Sequence, residues 1–257
     1  KLALLAGSTT AATALLPLLE NNYARADILP EGDPRIVSQT LEFPDGAGYF
    51  VKPSAEGKYP GVVVIHENRG LNPHIKDVAR RMAAEGFAVL AVDYLHGLGG
   101  TPEDADKARD MIGTLKPEDI KATSSAALAA VKANPASNGK SGAMGFCWGG
   151  GTVNALAVTD PGLSAGVAYY GRQPDAADVP KITAPLLLQY GGLDERINAG
   201  IPAFEAALKA NSKVYELYVY EGANHAFNND ANAARYNKDV AELAWSRTVA
   251  FLKKYVA

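Results

Sequence analysis
From residue 35 onward the chain alternates short β-branched apolar runs with longer stretches of helical periodicity. Ile36–Phe43 and Gly48–Lys52 flank the turn residues Pro44-Asp45-Gly46 and predict a leading pair of strands. Gly61–His66 (GVVVIH) and Phe87–Asp93 (FAVLAVD) are continuous runs of the kind expected in strands buried on both faces. Gly142–Phe146, Leu163–Tyr170, Ala184–Tyr190 (APLLLQY) and Val214–Tyr220 read as further strands. Helices are predicted over His74–Glu85, stopped by Gly86, and over Pro102–Leu115, Pro117–Ala133, Trp148–Val158 and Ile201–Ala210. A long last helix is expected from about Ala233 to Tyr255. Strands alternating with helices define an α/β chain with a mainly parallel sheet and helices on both faces. In such a sheet the chemistry gathers in the loops beyond the carboxyl ends of the strands.

The residues ahead of this pattern differ. Residues 2–19 are Ala/Leu-rich but broken by Gly7, Ser8, Thr9, Thr10 and Pro17, short and weak for a bilayer span of about 20 apolar residues. They read as the apolar part of an export signal over residues 1–26, ending at the small-x-small pattern Ala24-Arg25-Ala26, with a docking helix as the alternative. Residues 27–34 read as a polar linker, and residues 35–257 as one catalytic-size domain. The location implied is periplasmic or otherwise exported, with cytoplasmic as the alternative.

Composition narrows the chemistry. With 25 basic against 28 acidic residues and no basic stripe, nucleic acid is a poor partner. A single Cys excludes an internal disulfide, a C-x-x-C redox pair and a structural zinc site built on several cysteines. That Cys lies in Gly145-Phe146-Cys147-Trp148-Gly149-Gly150-Gly151, between the strand GAMGF and a helix-forming stretch. This is the strand, sharp turn and helix of a nucleophile elbow, in which glycines let strand and helix approach closely. A helix amino terminus also favours a thiolate.

A nucleophile needs a base and a group to orient it, and hydrolases of this layout supply them in the order nucleophile, acid, histidine. Of the four histidines, His225 is last and follows the strand VYELYVY, at a carboxyl end. His74 opens a predicted helix and reads as a surface or capping residue. Asp194 follows APLLLQY after two glycines and is the acid candidate; adjacent Glu195 is the alternative, though it is expected to pair with Arg196 at the surface. The N–H of Trp148 is one oxyanion donor, and the loop Glu67-Asn68-Arg69-Gly70 should provide the second. Glu67 would then lie near the thiol and should contact Arg69, a protonated partner or the thiol itself. Arg69, Tyr94, Trp148, Tyr170, Arg172 and Phe227 are placed around a substrate pocket, with core packing as the alternative for the aromatics.

These motifs resemble the dienelactone hydrolase family of α/β hydrolases over about residues 35–255. The resemblance rests on Gly145–Gly150, the Asp194 loop, Asn224-His225-Ala226-Phe227 and His66-Glu67-Asn68-Arg69-Gly70. It implies a Cys147–His225–Asp194 triad, oxyanion N–H groups from Asn68 and Trp148, and a Glu67 that engages the resting thiol and helps release a thiolate. Two departures stand out. Dienelactone-cleaving members carry an Arg after an Asp-Leu-Tyr strand end and another past the catalytic His. Here those places read Asp93-Tyr94-Leu95-His96-Gly97 and His225-Ala226-Phe227-Asn228-Asn229. Without those charge-assisted contacts, unless Arg69 or Arg172 replaces them, the expected substrate is an ester or lactone other than dienelactone. The wording His-Glu-Asn-Arg-Gly and Gly-Arg-Gln-Pro resembles a bacterial subgroup that often carries a twin-arginine export signal.

The expected reaction is ester or lactone hydrolysis through a thioester, with no metal or organic cofactor, by a monomer or homodimer. Acyl transfer to a thiol or amine uses the same residues. A ligand-binding or thiol-sensing domain with Cys147 as an oxidation switch is the non-enzymatic alternative.

Overall fold
The structure is a computed structural model that describes residues 29–257, so the expected export signal lies outside the described residues. Strands β1 (Ile36–Phe43) and β2 (Gly46–Pro53) form a hairpin whose two-residue turn needs a positive φ at Asp45. The other strands are β3 (Tyr59–Ile65), β4 (Ala88–Asp93), β5 (Ser137–Phe146), β6 (Gly166–Tyr169), β7 (Leu186–Gly191) and β8 (Tyr215–Tyr220). Together they make an eight-stranded sheet in the order β1-β2-β4-β3-β5-β6-β7-β8, with β2 antiparallel to both neighbours and the rest parallel.

Strand β3 shows why the sheet is covered on both sides. Val62 and Val64 point to one face and Val63 and Ile65 to the other, and all four are fully buried. On the first face, helices α1 (Pro73–Ala84) and α7 (Lys238–Val256) bury Val78, Met82, Phe251 and Leu252. On the second, α3 (Pro117–Ala133), α4 (Trp148–Thr159) and α6 (Ile201–Ala210) bury Leu128, Val153, Leu156 and Phe204. Helix α2 (Ala105–Ile112) and the single turn α5 (Glu195–Asn198) sit in the connections. From β3 the chain crosses through α1 to β4 on one side, then returns through α3 to β5 on the other. The carboxyl ends of β3 and β5 therefore flank the point where strand order reverses, the usual ligand crevice of such sheets.

Helix starts differ from the sequence expectation in two places. Helix α2 begins at Ala105 rather than Pro102 because the Asp104 side chain accepts from Asp106 N and Lys107 N. Helix α7 begins at Lys238, capped by Asn237, because residues 229–236 are folded into turns instead. The expected linker is also anchored at Leu29. Its N–H donates to Asp77 Oδ1 at 2.7 Å, and Arg80 Nε donates to its carbonyl at 2.5 Å. Among the described residues, no helix is long and apolar enough to cross a membrane.

Candidate active site
Cys147 stands alone between the end of β5 and the start of α4, with φ 54° and ψ −111°. Such a backbone is costly for a residue with a side chain. It is held because Gly145 and Gly149 let strand, elbow and helix close up. A Cβ on Gly149 would sit 2.3 Å from the carbonyl oxygen of Ile65, and one on Gly145 would sit 2.3 Å from that of Gly149. Cys147 N–H donates to Tyr169 O at 3.0 Å, which fixes the turn against β6. Two other left-handed residues, Tyr170 and Ala226, flank the same crevice, so strain is concentrated there.

Asp194 and His225 follow β7 and β8 and meet: His225 Nδ1 bonds Asp194 Oδ2. Asp194 also caps α5, its Oδ1 accepting from Ile197 N at 3.4 Å. One carboxylate oxygen is thus fixed by the helix turn, leaving the other to orient the imidazole. The imidazole packs 5.0 Å, centre to centre, from the Tyr170 ring. Among the described residues no hydrogen bond joins the Cys147 sulfur to His225. Catalytic hydrogen bonds are often long in the absence of substrate.

The thiol is protonated at rest. Burial pushes it up to about 11, and the Glu67 charge adds to this; the Trp148 N–H and the Arg196 charge oppose them without prevailing. The thiolate expected from the helix terminus is therefore overridden. Glu67, 8% exposed, accepts from Asn229 Nδ2 at 2.7 Å and from Tyr170 OH at 3.4 Å. It does not contact Arg69. That guanidinium turns away to Asp106 (2.6 Å) and to the Ala105 carbonyl (2.8 Å), so it is removed from the pocket.

Beneath the thiol lies an aromatic stack. Trp148 is stacked on His66 at 5.4 Å and meets the Tyr94 ring edge-on at 5.1 Å. His66 is fully buried, with its Nδ1 2.6 Å from Glu67 O, and burial pushes its pKa down to about 4. It is a neutral support. Tyr94 is buried behind Trp148, bonded to Ser124 Oγ at 2.6 Å, so it braces the pocket rather than lining it. Phe227 is likewise not a lining residue: it is fully buried among Tyr169, Tyr170 and Tyr220. Trp148 and Arg172 do line a cavity of about 580 Å³ that opens on Cys147. Asn68 follows β3 beside Glu67, at the crevice.

Three further features escaped the sequence reading. Asn229, four residues past His225, holds Glu67. His74 is not a surface residue: it bonds Asp230 at 2.9 Å, and Asp230 also takes Arg81 at 3.0 Å, in a buried cluster. Glu195 and Arg196 are both exposed and do not pair; Arg196 instead acts on the thiol through its charge. Among the described residues, no group of three or more His, Cys, Asp or Glu side chains is placed to hold a metal ion.

The family model described as "Dienelactone hydrolase family" matches residues 47–256. The chain belongs to the dienelactone hydrolase family. It is accordingly an ester or lactone hydrolase with the α/β-hydrolase fold. Among its relatives is a protein of Saccharolobus solfataricus, provisionally named carboxymethylenebutenolidase, 34% identical over 236 residues that cover 75% of this chain and 88% of that one. A crystal structure described as the dienelactone hydrolase-like promiscuous phosphotriesterase P91, from metagenomic libraries, is 26% identical with a TM-score of 0.77. That match covers 87% of this chain and all of that one. The dienelactone hydrolase of Anabaena variabilis, 23% identical with a TM-score of 0.65 over 87% of this chain and 99% of that one, shares the fold.

Proposed function
We propose that this protein hydrolyses carboxylic esters or lactones through a thioester on Cys147. The observation that carries the reading is the Asp194–His225 pair held at neighbouring strand ends beside an elbow bearing the only cysteine. His225 takes the proton as the Cys147 sulfur attacks the carbonyl carbon, while Asp194 fixes its tautomer and stabilises the imidazolium. The N–H groups of Trp148 and Asn68 receive the oxyanion. Collapse breaks the carbon–oxygen bond, and the leaving alcohol takes the proton from His225. Water, deprotonated by His225, then attacks the thioester; the carbon–sulfur bond breaks and the proton returns to sulfur.

Arg172 is assigned to the substrate side, at the cavity's exposed edge. Tyr170, placed around the pocket by the sequence, is 1% exposed and does not line the cavity; its hydroxyl goes to Glu67 instead. The test is turnover of a short-chain nitrophenyl ester with the protein quenched and weighed. An acyl adduct confined to Cys147 is expected; turnover with no adduct on this residue refutes the thioester.

Glu67 guards the resting thiol in this reading. Burial and, after it, the Glu67 charge push the thiol up to about 11; Glu67→Gln removes the second of these, so the alkylation midpoint moves down in pH. Each unit of that shift raises thiolate, and hence iodoacetamide reactivity below the midpoint, about tenfold. A severalfold faster alkylation at pH 8 is expected. An unchanged rate removes Glu67 from control of the thiol.

A further inference from the structure
We propose that the groove between α3 and α4 seats an extended apolar arm of the substrate, so that the preferred esters carry a chain on the order of ten carbons. The proposal rests on the hydrolase reading above and specifies the substrate for that site.

The groove floor is one stripe of α4: Trp148, Gly151, Thr152, Ala155, Leu156 and Thr159. These positions recur at the three- and four-residue spacing of a single helix face. From Trp148 to Thr159 the stripe runs about 16 Å at 1.5 Å per residue. That accommodates an extended chain of roughly twelve to thirteen carbons, each single bond of about 1.5 Å advancing about 1.25 Å along the zigzag. Pro117 and Ile120, at the start of α3, make one wall, and Pro174 with the Arg172 main chain makes the other. Small side chains keep the middle open. Even a Cβ at Gly151 would meet nothing closer than 3.4 Å.

Polarity points the same way. The ionic groups along this cavity, Glu118, Lys121 and Arg172, are all exposed at its rim, and its two buried hydroxyls are already bonded, Ser124 to Tyr94 and Thr152 to the Trp148 carbonyl. Nothing ionic is buried in the floor to receive a charged substrate group. An apolar arm, by contrast, gains about two- to fourfold in affinity for each methylene removed from water. The about 580 Å³ available falls within the range of small-molecule pockets.

Covalent logic identifies the occupant. Cys147 is itself one of the lining residues, so in the proposed reaction what fills the groove is connected to the carbonyl under attack. The wall nearest the thiol is rigid, because Trp148 is clamped between His66 and Tyr94.

The experiment compares kcat/KM for nitrophenyl acetate, hexanoate and decanoate, which place the arm on the acyl side, and for ethyl and decyl acetate, which place it on the alcohol side. One of the two series should rise by about two- to fourfold per methylene. Ala155→Trp puts an indole across the groove from an exposed position, without touching the core. It should lower the long-to-short ratio of that series at least tenfold. Flat profiles in both series, or a ratio unchanged by Ala155→Trp, overturn the proposal. If no ester is turned over, the hydrolase reading fails and the groove is judged by decanol binding, measured calorimetrically. Saturable binding that Ala155→Trp abolishes supports the groove, and no binding overturns it.

Discussion

Cys147→Ala is expected to reduce ester turnover by at least about 10,000-fold, to the level that binding and the oxyanion donors alone sustain. The size follows from the division of labour in the elbow. In the proposed mechanism, Trp148 N–H and the loop after β3 polarise the carbonyl without the sulfur, but no other described residue is assigned the covalent step. His225 without the thiol could only activate water, in a crevice arranged around a nucleophile on the protein. The substitution is mild for the fold. Cys147 is only half-buried, and alanine at φ 54° pays much the same strain as cysteine, so the melting temperature should stay close to that of the parent. Cys147→Ser separates two contributions. A hydroxyl keeps the geometry and should retain a small part of the activity, or gain on some esters, whereas alanine should retain only that background. Alanine turnover equal to the parent would remove Cys147 from the mechanism.

What the sequence revealed of this site was local, and what it hid was distant. The elbow could be read because Gly145 and Gly149 lie two residues either side of Cys147, where strand and helix must close up. Asp194 and His225 could be read because each follows an apolar strand directly, and in a parallel sheet every such loop lies at the same end. Asn229 could not. It meets Glu67 across 162 residues, and no periodicity links an asparagine in a loop after β8 to a carboxylate after β3. The balance of effects on the Cys147 thiol was only partly legible for a related reason. The helix terminus is a local feature and favours a thiolate, but burial and the charge of Glu67 come from the assembled crevice and outweigh it. Phe227 and Arg69 illustrate the same divide. Both flank site residues in sequence, yet one turns into the core and the other out to α2.

The second large effect expected is on stability: Asp230→Ala should cost about 3–5 kcal/mol, a fall in melting temperature of roughly 6–20 °C for a chain of this size. Asp230 lies in the segment between His225 and α7, with its carboxylate buried against His74 and Arg81 of α1 at 2.9 and 3.0 Å. Removing it leaves Asp77 as Arg81's remaining ion-pair partner and His74, 6% exposed, without its carboxylate. Burial by itself would raise the Asp230 pKa, but the bonds to His74 and Arg81 prevail and hold it below the usual aspartate value. The sign of the pH dependence follows. A carboxyl whose folded pKa is depressed contributes stability above its unfolded value of about 3.9, and loses it as the pH falls through the lower folded value. Urea midpoints of parent and Asp230→Ala should therefore differ most at neutral pH and converge in acid. The same latch carries a functional consequence, because the next residue back, Asn229, is the one that holds Glu67. Loosening the segment should free Glu67 from its amide partner and change the alkylation profile of Cys147, even at temperatures where the variant remains folded. A variant that loses stability while its thiol titrates as in the parent would show that the latch serves the fold alone.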